Sequence, residues 1–215
     1  MSQSAVPEQN DTAVAGCVTD ADEQQRVLDA FSALRRHRAD ALLVLAPRHT
    51  EQPAVIERLH TLPGALGLPH ALRSALATQH LPPDTAVLVL DTMGDPRDFY
   101  AAADVAHVGV DHNVLEPLGF GKPVTVSAGW NRTYPSFPVY EMLRRQNVLI
   151  EAADARALTA AWGHCLAQGS VREALQERAS AVLAGARGAT DRHLQAMAPL
   201  LAARRRQDLA THRDA

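Results

Sequence analysis

Short apolar runs alternate with helix-patterned segments along most of this chain, and that alternation limits its fold more than any other feature. TAVAGCV (12–18), ALLVLA (41–46), AVLVLD (86–91), VAHVGV (105–110), PVTVS (123–127) and NVLIE (147–151) read as strands. ALLVLA is apolar throughout and stopped by Pro47, the pattern of a strand covered on both faces. Between the runs lie helices. One is capped by Thr19 and carries Val27, Leu28, Phe31 and Leu34 at helical spacing; a second lies around 53–62; a third spans 95–104. Pro96 sits near the start of the third, where a missing amide costs nothing. Strands joined through helices need crossover connections, and these make a parallel sheet.

Residues 67–76 fit an edge strand or a helix equally well. After Ala153 the pattern is helical only, over 153–168, 170–185 and 188–206, broken by Gly169 and by Gly185 with Gly188. The expectation is one Rossmann-like three-layer α/β domain over 12–206, with the helical C-terminal run packing across it. Residues 1–11 read as a flexible leader and 207–215 as a tail.

Apolar residues make up 47% of the 215, enough for a proper core. A formal net charge of -3 carries no signature of nucleic-acid binding. Cys17 and Cys165 lie far apart and match no metal or redox spacing, as in a reduced cytosolic protein. The first residues, MSQSAVPEQNDT, lack the basic start and apolar run of a signal peptide, and no apolar stretch approaches the roughly 20 residues that span a bilayer. The ten histidines form no convincing ligand pair. A G-x-G-x-x-G after a strand, a P-loop and a G-x-S-x-G elbow are all absent from the sequence. GARG (185–188) reads as an interhelical break, and ARRRQ (203–207) as a solvated helix end or an anionic-membrane contact.

Ligands of an open parallel sheet collect beyond the carboxyl ends of its strands. Pro47-Arg48-His49 follows the second predicted strand, Asp91-Thr92-Met93-Gly94-Asp95 the third, and Asp111-His112-Asn113 with Glu116 the fourth. Ser127-Ala128-Gly129-Trp130-Asn131 follows the fifth. Each has a plain reading beside the functional one. Asn113-x-x-Glu116 has capping-box spacing, and Glu116-Pro117 suits a helix with proline at its first position. A helix start so capped also offers free amides to an anionic or hydroxyl-rich ligand. Gly94 is a turn residue or a point of close ligand approach; Arg48 is a solvated charge or a phosphate clamp.

The order PRH (47–49), DTMGD (91–95), FYAAADVAHVG (99–109) and HNVLEPLGFGKPV (112–124) resembles the C-terminal half of the 3-deoxy-D-manno-octulosonic acid (Kdo) transferases, over about Thr12 to Leu201. The resemblance implies the two-domain GT-B architecture, with an N-terminal half for the lipid acceptor and catalytic base and a C-terminal half for the donor, CMP-Kdo. It implies transfer of Kdo to a lipid A-type acceptor in lipopolysaccharide biosynthesis, in the cytoplasm at the face of the inner membrane, without cofactor or metal. By that resemblance Arg48, with Pro47 and His49, lines the nucleotide phosphate. Met93 and Gly94 hold the cytidine end, and Asn113 and Glu116 bind the hydroxyl-bearing part of the donor or the pyrimidine nucleotide.

The sequence departs from that pattern in three places. Only a short leader precedes Thr12, so an acceptor domain and its base are expected from a partner chain, and no catalytic residue is assigned. VGVDHN replaces the usual glycine-rich stretch with Val110 and Asp111, a carboxylate that would repel the donor's anionic groups. The segment SAGWNRTYPSFPVYEM (127–142) also differs from the family pattern, on the acceptor side. His112 and Asp111 are the substitute candidates for a base. The alternatives are a nucleotide-sugar-binding module without turnover and a protein-interaction domain with a vestigial pocket.

Overall fold

A computed structural model describes residues 12–76, 80–92, 97–186 and 188–211, in two compact units divided after Ser180. The predicted leader 1–11 lies outside the described residues. The first unit is built on seven parallel strands in the order β3-β4-β2-β1-β5-β6-β7. They are β1 (Ala13–Val18), β2 (Leu42–Pro47), β3 (His70–Leu72), β4 (Val87–Val89), β5 (Val105–Val108), β6 (Val124–Ser127) and β7 (Leu149–Ala152). Helices α1 (Ala21–Arg35), α2 (Pro53–Ala65), α3 (Arg97–Ala102), α4 (Leu115–Gly119), α5 (Phe137–Arg145) and α6 (Ala155–Ala167) intervene, and α7 (Gly169–Ala186) follows. This is the Rossmann-like α/β architecture that the alternation predicts.

The sheet is buried on both faces, as its apolar runs require. In β2, Leu43 and Leu45 join a core with Val27, Leu28 and Phe31 of α1 and Leu158 and Trp162 of α6. Their neighbours Leu42 and Val44 point the other way, into a cluster with Leu88, Leu90 and Phe99. The ambiguous stretch 67–76 is an edge strand, β3, ending in a 3-10 turn at Arg73–Ala75. Ser74 fixes that turn by donating to Asp91 from both its amide and its hydroxyl. Three residues of strand are too few for a period to register in the sequence.

Two predicted termini are corrected. The N-cap of α1 is Asp20, whose carboxylate accepts from the Glu23 amide at 2.9 Å; Thr19 stands one residue outside. Helix α8 (Ala189–Thr211) runs past Arg206, where the sequence pattern ends it. Gly121, in the turn after α4, has a φ of +69°, the left-handed region that favours glycine.

One polar network lies inside the core. Thr125 Oγ1 donates to the Ala106 carbonyl and accepts from Trp162 Nε1, both at 3.1 Å. With its proton so used, the hydroxyl accepts from His107 Nδ1 at 3.1 Å, and His107 Nε2 takes the Ser127 hydroxyl at 3.3 Å. The buried imidazole is therefore held neutral. Burial first, then the charge of Arg26, pushes its pKa down to about 3. The unfolded chain binds that proton near pH 6.5 while the folded chain does not, so this stability is complete above about pH 6.5 and is lost as pH falls below it. Urea unfolding between about pH 6.5 and 5 is expected to lose up to ~1.4 kcal/mol per pH unit through His107, and His107→Asn to flatten that slope.

Candidate functional site

The chain runs from β1 to β2 and on to the edge strand β3, steps back to place β4 between β3 and β2, then crosses to the other side of β1 to lay down β5, β6 and β7. The direction therefore reverses between β1 and β5, where open α/β sheets place ligands beyond the strand ends. Glu23 of α1 occupies this position. Its carboxylate accepts from Thr19 N at 2.6 Å, beyond β1, and from Val110 N at 3.1 Å, beyond β5. The Thr19 hydroxyl closes the same gap by donating to the Val110 carbonyl at 2.8 Å. Asp20-x-x-Glu23 has capping-box spacing, the one sequence signal that singles out Glu23, but its partner beyond β5, Val110, lies far along the chain.

Beyond Val110 the loop turns sharply at Asp111, with φ 63°, and Asp111 Oδ1 accepts from Asn131 N at 3.1 Å. The carboxylate thus pins the loop after β6 to the loop after β5. Asn113 Oδ1 accepts from Leu115 N at 3.1 Å, so its carboxamide does serve the start of α4. The N-cap position itself is Val114, and Pro117 is the third helical residue rather than the first. Proline is tolerated there because the first turn has no intrahelical use for its amide.

Pro47 is the buried last residue of β2, paired with Val18. Arg48 follows it and is tied back by its amide to the Val18 carbonyl at 2.9 Å. Its guanidinium donates to the Tyr134 hydroxyl at 2.6 Å and lies 5.7 Å from the centre of that ring. His49, with φ 64°, is exposed and donates from Nδ1 to Glu51 at 3.0 Å, an ion pair when the ring is protonated. Burial, then the Arg48 charge, lowers His112 to about 4, with His49 acting in the same direction and Asp111 against. His112 is thus neutral near pH 7. Its Nε2 is buried without a partner, as is Ser136 Oγ.

Two cavities among the described residues flank the Asn113–Leu115 segment. One, of about 460 Å³, is lined by Arg97, Asn113, Glu116 and Phe120, with the Arg97 guanidinium 5.5 Å from the Phe120 ring centre. The other, of about 370 Å³, is lined by His112, Asn113, Tyr134, Pro135, Ser136 and Val139, and is mainly apolar. Asn113 belongs to both, Glu116 to the first, and Arg48 reaches the rim of the second through Tyr134. Pro47 shapes the strand end and lines neither. Met93 and Gly94 lie outside the described residues. Burial raises the Cys17 thiol to about 11 against a hydrogen bond from Tyr100, and Glu116 and Glu23 add to the rise, so both carboxylates stand near the end of β1. Tyr134, Arg97 and Phe120 escape the sequence reading. Among the described residues no group of three or more His, Cys, Asp or Glu could hold a metal ion.

No profile of a known protein family matches the chain. It is 33% identical over 184 residues to the 3-deoxy-D-manno-octulosonic acid transferase of Bordetella pertussis, across 81% of this chain and 41% of that protein. The corresponding Haemophilus influenzae enzyme is 32% identical across 83% of this chain and 42% of its own length. A solved structure, the C-terminal CMP-Kdo binding domain of WaaA from Acinetobacter baumannii, superposes with a TM-score of 0.71 at 26% identity, over 81% of this chain and 90% of that domain. The chain is homologous to the C-terminal domain of the Kdo transferases. It spans about two fifths of the length of the curated Kdo transferases it matches, and its α/β sheet is that of the C-terminal GT-B domain.

Within this domain Asp111 acts as a structural pin. Asp111→Asn keeps a short side chain suited to positive φ and a carbonyl acceptor for Asn131, whereas Asp111→Ala removes both. Denaturant unfolding is expected to show a loss of about 1–3 kcal/mol for the alanine variant and less than half of that for the asparagine variant.

Proposed function

We propose that this chain is the donor-binding domain of a Kdo transferase-like glycosyltransferase, holding CMP-Kdo for transfer to a lipid A-type acceptor in lipopolysaccharide biosynthesis. The observation that carries the reading is the position of HNVLEP at the strand-end rim, between two cavities, in a chain one third identical to Kdo transferases. Glycosyl transfer builds positive charge on the sugar carbon and negative charge on the departing phosphate. The Arg48 guanidinium, released from Tyr134, stabilises that phosphate, and neutral His112 beside it adds no competing charge. Pro47 and His49 shape the strand end that presents it. Asn113 and Glu116 meet donor hydroxyls from the larger cavity, and Met93 and Gly94 the cytidine end.

The base that deprotonates the acceptor hydroxyl comes from an acceptor domain, since Asp111 is committed to Asn131 and His112 Nε2 is enclosed. A lipid acceptor brings the site to the cytoplasmic face of the inner membrane; no described helix is long and apolar enough to cross a membrane. The same two commitments favour a second reading, a module that binds the nucleotide-sugar without turnover.

Thermal-shift titration separates the donor classes. CMP-Kdo at a hundred times its dissociation constant is expected to add about 2.7 kcal/mol of stability, and UDP-sugars little. Arg48→Ala and Glu116→Ala are each expected to weaken CMP-Kdo about tenfold or more, roughly 1.4 kcal/mol. A shift with UDP-sugars and none with CMP-Kdo overturns the assignment. Mixing the chain with a separately folded acceptor domain then divides the two readings: Kdo transfer marks the enzyme, binding without product the silent module.

A further inference from the structure

Backbone amides at the switch point of an open parallel sheet are the usual seat of a ligand's phosphates, because N–H groups at strand ends and helix starts converge there with nothing else to bind. In this chain the two amides that face the gap between β1 and β5, those of Thr19 and Val110, are both consumed by Glu23, at 2.6 and 3.1 Å. The carboxylate is enclosed, with Glu23 only 2% exposed. Room for it is made by the neighbouring residue. A Cβ on Gly109 would lie 2.1 Å from Glu23 Oε2 and 2.9 Å from Oε1, so the side chain fits only because residue 109 is glycine. The Thr19 hydroxyl, bonded to the Val110 carbonyl at 2.8 Å, keeps the two strand ends from spreading. A built-in anion therefore sits where a ligand's phosphate would otherwise go.

Resting on the reading of this chain as a nucleotide-sugar-binding domain, we propose that Glu23 fixes how many phosphates the donor carries: it fills the crevice a second phosphate would enter, so the site takes a nucleoside monophosphate donor and rejects a nucleoside diphosphate one. The steric and electrostatic grounds agree. A diphosphate would have to displace a carboxylate that holds two backbone amides, and its second phosphate would bring one more negative charge than a monophosphate does beside that carboxylate and Glu116, both of which act on the Cys17 thiol at the end of β1. A single phosphate need not enter the gap, since Arg48 leaves β2 on the outer side of Val18 and meets it at the rim. Glu23 is thus a residue of specificity, not of catalysis.

CMP and CDP share base and sugar and differ by one phosphate, so their ratio isolates the effect. Calorimetry on the full chain is expected to show CMP binding about tenfold or more tighter than CDP, and Glu23→Gln to narrow that preference to about threefold or less. Glutamine keeps the volume of Glu23 and one acceptor but no charge; Glu23→Ala, which empties the crevice, is the second variant. An independent arm follows the Thr19 and Val110 amide resonances during titration with inorganic pyrophosphate. They are expected to stay still in the wild-type chain and to move in either variant. CDP binding the wild type as tightly as CMP, an unchanged ratio in both variants, or identical amide responses in wild type and variants each overturns the assignment. If neither nucleotide binds, the reading as a donor-binding domain fails, while the pyrophosphate arm still decides whether Glu23 is the occupant of the crevice.

Discussion

Covering a parallel sheet on both faces leaves only its ends for polar contact, and the rest of this structure follows from that restriction. Leu42 and Val44 face one side of β2 and Leu43 and Leu45 the other, so neither face of the strand can present chemistry. Backbone groups at the strand ends still need partners. The loops after β1, β2, β5 and β6 supply them to one another: Arg48 N to Val18 O, Gly109 N to Cys17 O, Asn131 N to Asp111 and Val110 N to Glu23. A rim is assembled this way before any ligand is considered.

Several side chains expected to act on a ligand turn out to be engaged in this assembly. Asp111 reads as a repellent carboxylate in the sequence, yet it is an acceptor for the neighbouring loop. Asn113 divides its role, serving the start of α4 with its oxygen while lining both cavities. The Arg48–Tyr134 contact gives the 127–142 segment a function, because it is this segment that delivers the phenol holding the guanidinium at the rim.

Homology and geometry contribute separate parts of the conclusion. The likeness to Kdo transferases and to a CMP-Kdo binding domain supplies the relatives and the fold. The chemistry of the rim has to come from distances: Glu23 between two strand ends, Arg48 on Tyr134, Glu116 in the larger cavity. Those distances single out Glu23, which no motif of the resemblance includes.

By itself the sequence determined the class of fold, the parallel sense of the sheet and the strand ends from which chemistry would come. Those follow from local periodicity: whether a run alternates, recurs at helical spacing or stays apolar is written in adjacent residues. It also held the capping-box spacing of Glu23, but not the partner. Only the tertiary structure decided that 67–76 begins as an edge strand, that Tyr134 holds Arg48 across 86 residues of chain, and that Glu23 meets Val110 across 87. Contacts of that span depend on which strands the crossovers lay side by side, and no local pattern encodes a neighbour that the chain reaches only after it has reversed direction.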